Sequence, residues 1–222
     1  MRRATDFPAA RTRLVDALVR SGYISDPRVR AAFETVPREA FVPEESREGA
    51  YADVPLPIPH GQTISAPSMI AIMLEEASLQ KGERVLEVGT GSGYHAALLA
   101  CLVGPENLVT IERIPALAAW GRENLARAGF SGVEVVTGDG SLGHPPRAPY
   151  DGIVATAGAP RIPDAWPAQL AAGGRIVAPV GRHAYEQVLL IVRKREDGTL
   201  ELREGTPCAF VPLVGDAAWP SR

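Results

Sequence analysis

The chain has 222 residues, of which 45% are hydrophobic, and its formal net charge at pH 7 is −3. This length corresponds to one domain, or to one domain with a small appendage, and the apolar content is sufficient for a substantial core. The slightly acidic balance gives no reason to expect nucleic acid or an anionic membrane as a partner. These numbers therefore argue against a disordered chain and against a nucleic-acid-binding or membrane-surface protein.

The sequence carries no evident signal for targeting, disulfides or metals. No apolar run approaches the ~18 residues of a membrane helix, and the N-terminus lacks the apolar stretch of a signal peptide. The two cysteines, Cys101 and Cys208, lie far apart, and the four histidines are scattered without metal-ligand spacing. We therefore expect a cytoplasmic protein without a disulfide framework or a metal site.

The first 80 residues are expected to combine helices with a proline-rich loop. An amphipathic pattern predicts a helix over residues 8–21, and Asp26 followed by proline is typical of a helix N-cap. Five prolines within residues 37–59 favour an ordered loop without repeating structure. Ser65 is well placed as the N-cap of a further helix that runs to about residue 79.

From residue 82 onward, predicted strands and helices alternate. The apolar runs predict strands over residues 85–88, 107–112, 133–137, 150–156 and 175–179. Two more strands, over 187–193 and 199–203, are expected to form a hairpin across Asp197-Gly198. The alternation is typical of an α/β fold, with a doubly wound, mostly parallel Rossmann-like sheet and helices on both faces. The hairpin would supply its antiparallel edge.

A glycine-rich turn follows the first of these strands. Gly89, Gly91 and Gly93 alternate through it, and glycine permits a positive φ and the close approach of a ligand. A dinucleotide fingerprint would need its third glycine at position 94, which is Tyr94. Glu87 would repel a pyrophosphate but suits a cationic group such as the ammonium of a methionine moiety. The turn resembles the first motif of class I S-adenosylmethionine (SAM) methyltransferases; an ordinary glycine-rich turn is the alternative.

Two more strand ends carry acidic residues that suit a nucleoside. Glu112 lies about 20 residues after the glycine turn, where an acid can bind both hydroxyls of a ribose. Asp139 follows the third strand and can accept a hydrogen bond from an adenine amino group. Either acid alone is more often a turn or cap residue, but the three strand ends together favour a cofactor site. The expected cofactor contacts here are Glu87, Gly89, Thr90, Gly91, Ser92, Gly93, Glu112, Arg113, Asp139 and Gly140.

The N-terminal segment resembles the protein-L-isoaspartate O-methyltransferases. The motifs that carry the likeness are V-P-R-E-A-F-V-P at 36–43, Y-A-D at 51–53 and G-Q-T-I-S-A-P at 61–67. It continues through residues 85–94, 137–140, 168–181 and 210–215, and so covers nearly the whole chain. The resemblance implies repair of aged proteins. The family methylates the free α-carboxylate of an isoaspartyl residue with SAM, releases S-adenosylhomocysteine, and leaves an ester that collapses to a succinimide.

The resemblance also implies roles for individual residues. Ser65 is the residue expected nearest the transferring methyl, where its hydroxyl would bind the substrate carboxylate; the alternative is that it only caps its helix. Thr63 and Ile64 are expected to border the cofactor and the peptide. The expected substrate contacts are His60, which is as consistent with a plain surface histidine, Gln62 and Val214. Pro59 and Ser68 depart from the family pattern beside the expected substrate cleft.

The resemblance divides the chain into three parts of one compact domain. Residues 1–81 are expected to close over the active site, 82–195 to bind SAM, and 196–222 to add a strand and a substrate rim. We expect a monomer that acts on isoaspartyl peptides and proteins. Other interpretations remain open: a methyltransferase with another acceptor, a non-catalytic SAM-binding module, or an NAD-dependent oxidoreductase of similar fold.

Overall fold

The computed structural model describes residues 5–220, and its first two helices begin at aspartate caps. Helix α1 runs over Phe7–Arg20 and α2 over Pro27–Thr35. The carboxylates of Asp6 and Asp26 each accept a hydrogen bond from a backbone N–H of the first turn. Both helices also carry proline in that turn, where a missing N–H costs nothing. The predicted first helix and the predicted cap at Asp26 are confirmed.

The proline-rich segment contains two 3₁₀ turns and a small hairpin. The turns cover Arg38–Phe41 and Glu44–Gly49. The hairpin pairs β1 (Leu56–Ile58) with β2 (Gln62–Ile64) in antiparallel register. The prediction of a loop without repeating structure is therefore wrong for β1. Proline is tolerated at the centre of this strand because both strands of a two-stranded sheet are edges.

Helix α3 begins later than the position of Ser65 predicts. It runs over Pro67–Ala77, its N-cap residue is Ala66, and no side chain of its own cap accepts a hydrogen bond. The carboxylate of Asp53, from the preceding loop, instead accepts a 2.8 Å hydrogen bond from the N–H of Ser68. The capping role predicted for Ser65 is thus wrong. Pro67 is the first helical residue, so the N-cap position falls on Ala66 and Ser65 lies one residue before it. Within residues 5–220 the Ser65 hydroxyl makes no hydrogen bond, so it stays available to a ligand.

The main sheet has seven strands in the order β5-β4-β3-β6-β7-β8-β9. Their bounds are Val85–Val88 (β3), Leu108–Glu112 (β4), Glu134–Thr137 (β5), Tyr150–Ala155 (β6), Leu170–His183 (β7), Glu186–Lys194 (β8) and Leu200–Cys208 (β9). The five adjacent strands β5, β4, β3, β6 and β7 run parallel to one another. β8 runs antiparallel to β7, and β9 runs antiparallel to β8. The predicted doubly wound sheet and its antiparallel hairpin edge are confirmed.

Helices cover both faces of the sheet. Successive side chains of a strand point to opposite faces, and the apolar side chains on each face are buried under helices. The remaining helices are α4 (Tyr94–Val103), α5 (Pro115–Arg127) and α6 (Ala165–Gln169). Val85 packs in one hydrophobic cluster with side chains of α1 to α5, and Leu86 packs in a second with Trp166 of α6. None of the helices formed by residues 5–220 has the length and apolar character of a membrane span.

Candidate active site

A cleft lies where β3 changes neighbours, with β4 on one side and β6 on the other. Ligands in open α/β sheets bind at this switch point, outside the carboxyl ends of the strands. We call this space the main cleft. It is lined by Gln62, Thr63, Val88, Gly89, Gly91, Ile111, Glu112, Arg113, Ile114, Leu117, Gly140, Thr156, Ala157 and residues 211–214.

Two further spaces adjoin the main cleft. The inner pocket lies between the glycine turn and β2, and is lined by Thr63, Ile64, Ser65, Ile70, Met73, Gly89, Thr90, Gly91, Ser92, His95 and Thr156. The outer groove is more apolar and is lined by Pro55, Thr63, Ser65, Ala66, Met69, Thr156 and residues 209–211. Thr63 and Thr156 border all three spaces, and Ser65 borders the inner pocket and the outer groove. Ser65 therefore lies at a junction between two binding spaces.

Glycine is required at the three positions of the turn for different reasons. All have positive φ: 100° at Gly89, 51° at Gly91 and 86° at Gly93. A Cβ on Gly89 would lie 2.4 Å from the Thr156 hydroxyl oxygen, and one on Gly93 would lie 2.9 Å from the carbonyl oxygen of Gly121. Packing alone thus requires glycine at both positions, and Gly93, a predicted cofactor contact, does not line a cleft.

Gly91 is the glycine that faces open space. A Cβ there would meet one atom, a methyl of Ile58 at 3.6 Å, which is ordinary van der Waals contact. The residue lines both the main cleft and the inner pocket. A bare backbone at this point allows a ligand to approach closely.

Glu112 lies where the sequence predicts an acid for a ribose. Its carboxylate accepts a 3.1 Å hydrogen bond from the N–H of Gly91 and a 3.0 Å bond from the N–H of Ile114. These two donors fix the carboxylate against the glycine turn, and an ionised carboxylate still has lone pairs for a diol. Arg113 and Gly140 also line the main cleft, as expected.

Glu87 does not reach the cleft, which corrects the prediction that it contacts the cofactor. Its side chain is wholly buried. One carboxylate oxygen lies 2.7 Å from Nδ1 of His95, and the other accepts a hydrogen bond from the hydroxyl of Thr110. The side chain points from β3 into the layer between the sheet and α4, and His95 rather than Glu87 borders the inner pocket.

Asp139 is engaged by the C-terminal strap, which we define as residues 210–219. One carboxylate oxygen accepts hydrogen bonds from the N–H and hydroxyl of Ser141, and the other accepts a 2.7 Å bond from the N–H of Asp216. Burial by itself raises the Asp139 pKa, but these donors outweigh it and hold the pKa below its usual value. Asp139 does not line the main cleft. It borders an adjacent space together with Arg113, so its contact with adenine stays a prediction alongside this structural role.

The strap forms one wall of the main cleft. Val211 accepts a 2.8 Å backbone hydrogen bond from Gly158, whose carbonyl in turn accepts one of 2.8 Å from the N–H of Leu213. The indole N–H of Trp219 donates to the same carbonyl at 3.1 Å. Val214, predicted as a substrate contact, lines the cleft within this segment.

The predicted residues of the N-terminal segment fall into two groups. Gln62, Thr63, Ile64 and Ser65 line the spaces just described. His60 lies in the exposed turn between β1 and β2, with a φ of 62°, and lines none of them. The structure therefore does not bring His60 to the site as a substrate contact.

The sequence reasoning missed Thr156, His95 and Arg38. Thr156 directly follows β6 and donates a 2.6 Å hydrogen bond to the carbonyl of Gly89. The signal for it was topological: β6 is a neighbour of β3, so its end borders the switch point as closely as that of β4 does. His95 lies two residues after Gly93, the last glycine of the turn, and had no spacing signal of its own.

Arg38 fixes the backbone at Ser65 by donating a hydrogen bond to its carbonyl. Its guanidinium is wholly buried and donates 2.8 Å hydrogen bonds to the carbonyls of Ala50 and Ser65. It also lies 4.9 Å from the ring centroid of Tyr94, at the start of α4. Burial lowers the pKa of this guanidinium from its usual value. Arg38 thereby ties the N-terminal loops to the helix that follows the glycine turn.

The cleft fits a sulfonium nucleoside better than a dinucleotide. Gly91 presents bare backbone, Glu112 holds an acid at the second strand end, and Tyr94 is a buried core residue where a dinucleotide turn needs glycine. Apolar side chains from β4, α5 and the strap can enclose a base. Fold and site together define a class I SAM-dependent methyltransferase.

Comparison with known proteins narrows this class to one family. The family model described as protein-L-isoaspartate(D-aspartate) O-methyltransferase matches residues 9–218. A protein-L-isoaspartate O-methyltransferase of Hyperthermus butylicus is 54% identical over 222 residues, covering 96% of this chain and 92% of the relative. That of Methanopyrus kandleri is 53% identical, covering 95% and 93%. The chain belongs to the protein-L-isoaspartate O-methyltransferase family.

Solved structures agree with this assignment. A structure described as a protein-L-isoaspartate O-methyltransferase superposes with a TM-score of 0.83 at 32% identity, covering 94% of this chain and 67% of that one. Another, from Plasmodium falciparum in complex with S-adenosyl-L-homocysteine, gives a TM-score of 0.81 at 26% identity, covering 95% and 99%. The predicted family and fold are thus confirmed.

Proposed function

We propose that this chain transfers the methyl group of SAM to the α-carboxylate of isoaspartyl residues, with Ser65 aligning that carboxylate. The observation that carries the assignment of roles is the position of Ser65. Its hydroxyl is free of hydrogen bonds within residues 5–220, and the residue borders both the inner pocket and the outer groove. A group bound in one space can therefore meet a group bound in the other at this side chain.

The reaction asks for alignment rather than for proton transfer. An α-carboxyl group titrates near 3.3–3.7, so the acceptor is already ionised at neutral pH and needs no general base. SAM supplies an activated methyl group on a sulfonium when it is bound. The residues around the site have to hold the acceptor oxygen in line with that methyl, and such positioning is worth on the order of 7–11 kcal/mol.

The main cleft is the proposed site of the nucleoside. Glu112, held by two backbone N–H groups, would bind the ribose hydroxyls. Ile111, Leu117 and Leu213 offer apolar surface for the base. Thr90, Gly91 and Ser92 extend this site into the inner pocket, which suits the methionine moiety.

The outer groove is the proposed site of the peptide. Its walls are mostly apolar, from Pro55, Ala66, Met69 and Phe210, and they present no charged side chain that would select a particular sequence. Such a groove suits a peptide backbone of varied sequence. Recognition then falls on the misplaced carboxylate at Ser65.

We further propose that the enzyme works as a monomer in the cytoplasm. One chain supplies every wall of the cleft, the pocket and the groove described above. Both cysteines are free thiols, which fits a reducing compartment. Size-exclusion chromatography with light scattering would reveal a dimer if this is wrong.

A pair of twin peptides tests the proposed acceptor. The two peptides share one sequence and differ only in an isoaspartyl or a normal aspartyl linkage. We expect labelled methyl transfer from SAM to the isoaspartyl peptide alone. Equal labelling of both, or labelling of neither while SAM still binds, would show that the chain methylates another acceptor or none.

The Ser65→Ala variant tests the assigned role. Loss of one hydrogen bond to a charged carboxylate should lower kcat about 10- to 100-fold. Affinity for S-adenosylhomocysteine should stay within a few-fold, as measured by calorimetry. Ser68→Ala is the matched control, because Ser68 lies three residues further on, in the first turn of α3, but lines none of the three spaces. A Ser65 variant with weak cofactor binding and full kcat would contradict the assignment.

A further inference from the structure

His95 borders the inner pocket, and one of its ring nitrogens has no hydrogen-bond partner among the described residues. His95 lies in the first turn of α4 and is 6% exposed. Its Nδ1 lies 2.7 Å from a carboxylate oxygen of Glu87. Its Nε2 is buried and has no hydrogen-bond partner in the part of the chain that the structure describes. A buried polar nitrogen at the edge of a ligand pocket is expected to have a partner when the ligand is bound.

A hydrogen-bonded chain fixes which ring nitrogen carries the proton. An ionised carboxylate can only accept, so Thr110 and His95 both donate to Glu87. The hydroxyl of Thr110 lies 2.8 Å from that of Thr90, which donates to it in turn. With its proton on Nδ1, the neutral imidazole of His95 offers the lone pair of Nε2 to the pocket. The ring beside the inner pocket thus has a fixed acceptor.

The charge behind His95 favours a cationic donor. Glu87 is wholly buried, and no lysine or arginine among residues 5–220 forms an ion pair with it. A buried carboxylate without a cationic partner is unfavourable. A positive group bound at Nε2 would compensate that charge across the imidazole ring.

We propose that Nε2 of His95 accepts a hydrogen bond from a primary ammonium, that of the methionine moiety of SAM. Glu87, which cannot touch the ligand, acts as a positioning residue that orients the ring and supplies the negative charge. This inference rests on the proposed function, because it takes the occupant of the inner pocket to be the methionine moiety. It adds a recognition element that the glycine turn and Glu112 do not provide.

Calorimetry with three ligands tests the assignment in the absence of any peptide. The ligands are S-adenosylhomocysteine, its analogue without the amino group and its analogue without the carboxylate. For the wild-type protein, loss of the amino group should weaken binding about 10- to 100-fold, the range of a charged hydrogen bond. In His95→Phe, S-adenosylhomocysteine and the deaminated analogue should bind within about two-fold of each other, while the effect of removing the carboxylate stays as in the wild type.

Glu87→Gln supplies a second variant that keeps the shape of the buried side chain. It should weaken S-adenosylhomocysteine but leave the deaminated analogue unchanged, because only the ammonium responds to the lost charge. This variant and the wild-type comparison keep the test decisive even if His95→Phe fails to fold.

Three results would overturn the proposal. The first is equal binding of S-adenosylhomocysteine and its deaminated analogue by the wild-type protein. The second is loss of the effect of the carboxylate in His95→Phe, which would make Nε2–H a donor to an anion. The third is a raised KM for an isoaspartyl peptide in His95→Phe with unchanged affinity for S-adenosylhomocysteine, which would place His95 in the peptide site. Failure of the twin-peptide assay alone would leave these binding results unaffected.

Discussion

At the scale of single residues, the site depends on backbone groups held by a few buried side chains. Arg38 is the clearest case, since one guanidinium joins the carbonyls of Ala50 and Ser65 to the ring of Tyr94. Among residues 5–220 no carboxylate is hydrogen-bonded to it, and its buried Nη1 has no partner there. Its function is therefore to fix the chain around Ser65 rather than to form an ion pair.

Replacing Arg38 by methionine should cost both stability and turnover. Each carbonyl left buried without a donor costs about 1–3 kcal/mol, so the free energy of unfolding in urea should fall by a few kcal/mol. Arg38→Lys should recover only part of the loss, because one ammonium cannot reproduce the guanidinium fork. If kcat were unchanged in a folded Arg38→Met enzyme, the link between Arg38 and the Ser65 backbone would be irrelevant to catalysis.

Gly91→Val tests whether bare backbone admits the cofactor. Valine is strained at a φ of 51° and would project toward open space in the cleft, so affinity for S-adenosylhomocysteine should be lost. Gly129→Val is the matched control, with a φ of 90° and no atom within 4 Å of an added Cβ. Both variants should lose about 1–2 kcal/mol of stability, but only the first should lose calorimetric binding. Retained binding in Gly91→Val would place the cofactor elsewhere.

At the scale of elements, most of the sheet could be predicted because its signals are local. β3, β4 and β6 are apolar runs that end at turns, and the hairpin between β8 and β9 follows from Asp197-Gly198. β1 was not predicted because Pro57 within it and the prolines directly before and after it are typical of a loop. β7 begins at Leu170, five residues before the start predicted at 175. The prediction began too late because the glycines in between are typical of a turn.

The candidate site was less predictable, because a sequence shows that a side chain ends a strand but not which way it points. Glu112 turns toward the cleft, whereas Glu87 turns into the layer beneath α4 and meets His95. The structural role of Asp139 could not be predicted for a different reason. Its partner, the N–H of Asp216, is 77 positions away, and no local pattern reveals such a contact.

The strap should become less ordered in acid, because the ionised carboxylate of Asp139 accepts a hydrogen bond from the N–H of Asp216 within it. The pKa of Asp139 is lowered from 3.8 in the folded protein, so its contribution to stability is present above that pH. The contribution is lost as the pH falls through the folded value, when the carboxylate becomes protonated. Fluorescence of Trp219 and affinity for S-adenosylhomocysteine should both change in that range.

The variant Asp139→Asn is the control for this acid transition. It should show a loosened strap already at neutral pH and no further local change on acidification. Because Trp120 and Trp166 also fluoresce, the strap signal is the difference between the protein and its Trp219→Phe variant. A strap transition that persists in Asp139→Asn would assign the titration to another group.

At the scale of the whole molecule, the N-terminal segment and the sheet share one core. Phe33 and Phe41 pack against the ring of Tyr94 at centroid distances of 6.4 and 5.6 Å, and all three rings are buried. The hydrophobic cluster on that face combines residues of α1 and α2 with those of α4. The wall that carries Ser65 is therefore not a separately folded lid.

We expect the chain to unfold in one cooperative transition. Tryptophan fluorescence, which reports on α5, α6 and the strap, should change at the same urea concentration as the helical circular dichroism. S-adenosylhomocysteine at 100 times its Kd should stabilise the whole protein by about 2.7 kcal/mol. Two separated transitions would mean that the N-terminal segment unfolds independently of the core.

The sharing of Thr63, Ser65 and Thr156 between the inner pocket and the outer groove also constrains the kinetics. With the peptide in the outer groove and the methionine moiety in the inner pocket, as proposed, the bound peptide would cover the side of the pocket that these residues share. Turnover should then follow a compulsory order, with the methyl donor first to arrive and its demethylated product last to depart. Accumulated product would compete directly with the donor, so the cell's rate of clearing spent nucleoside would govern how fast this enzyme works.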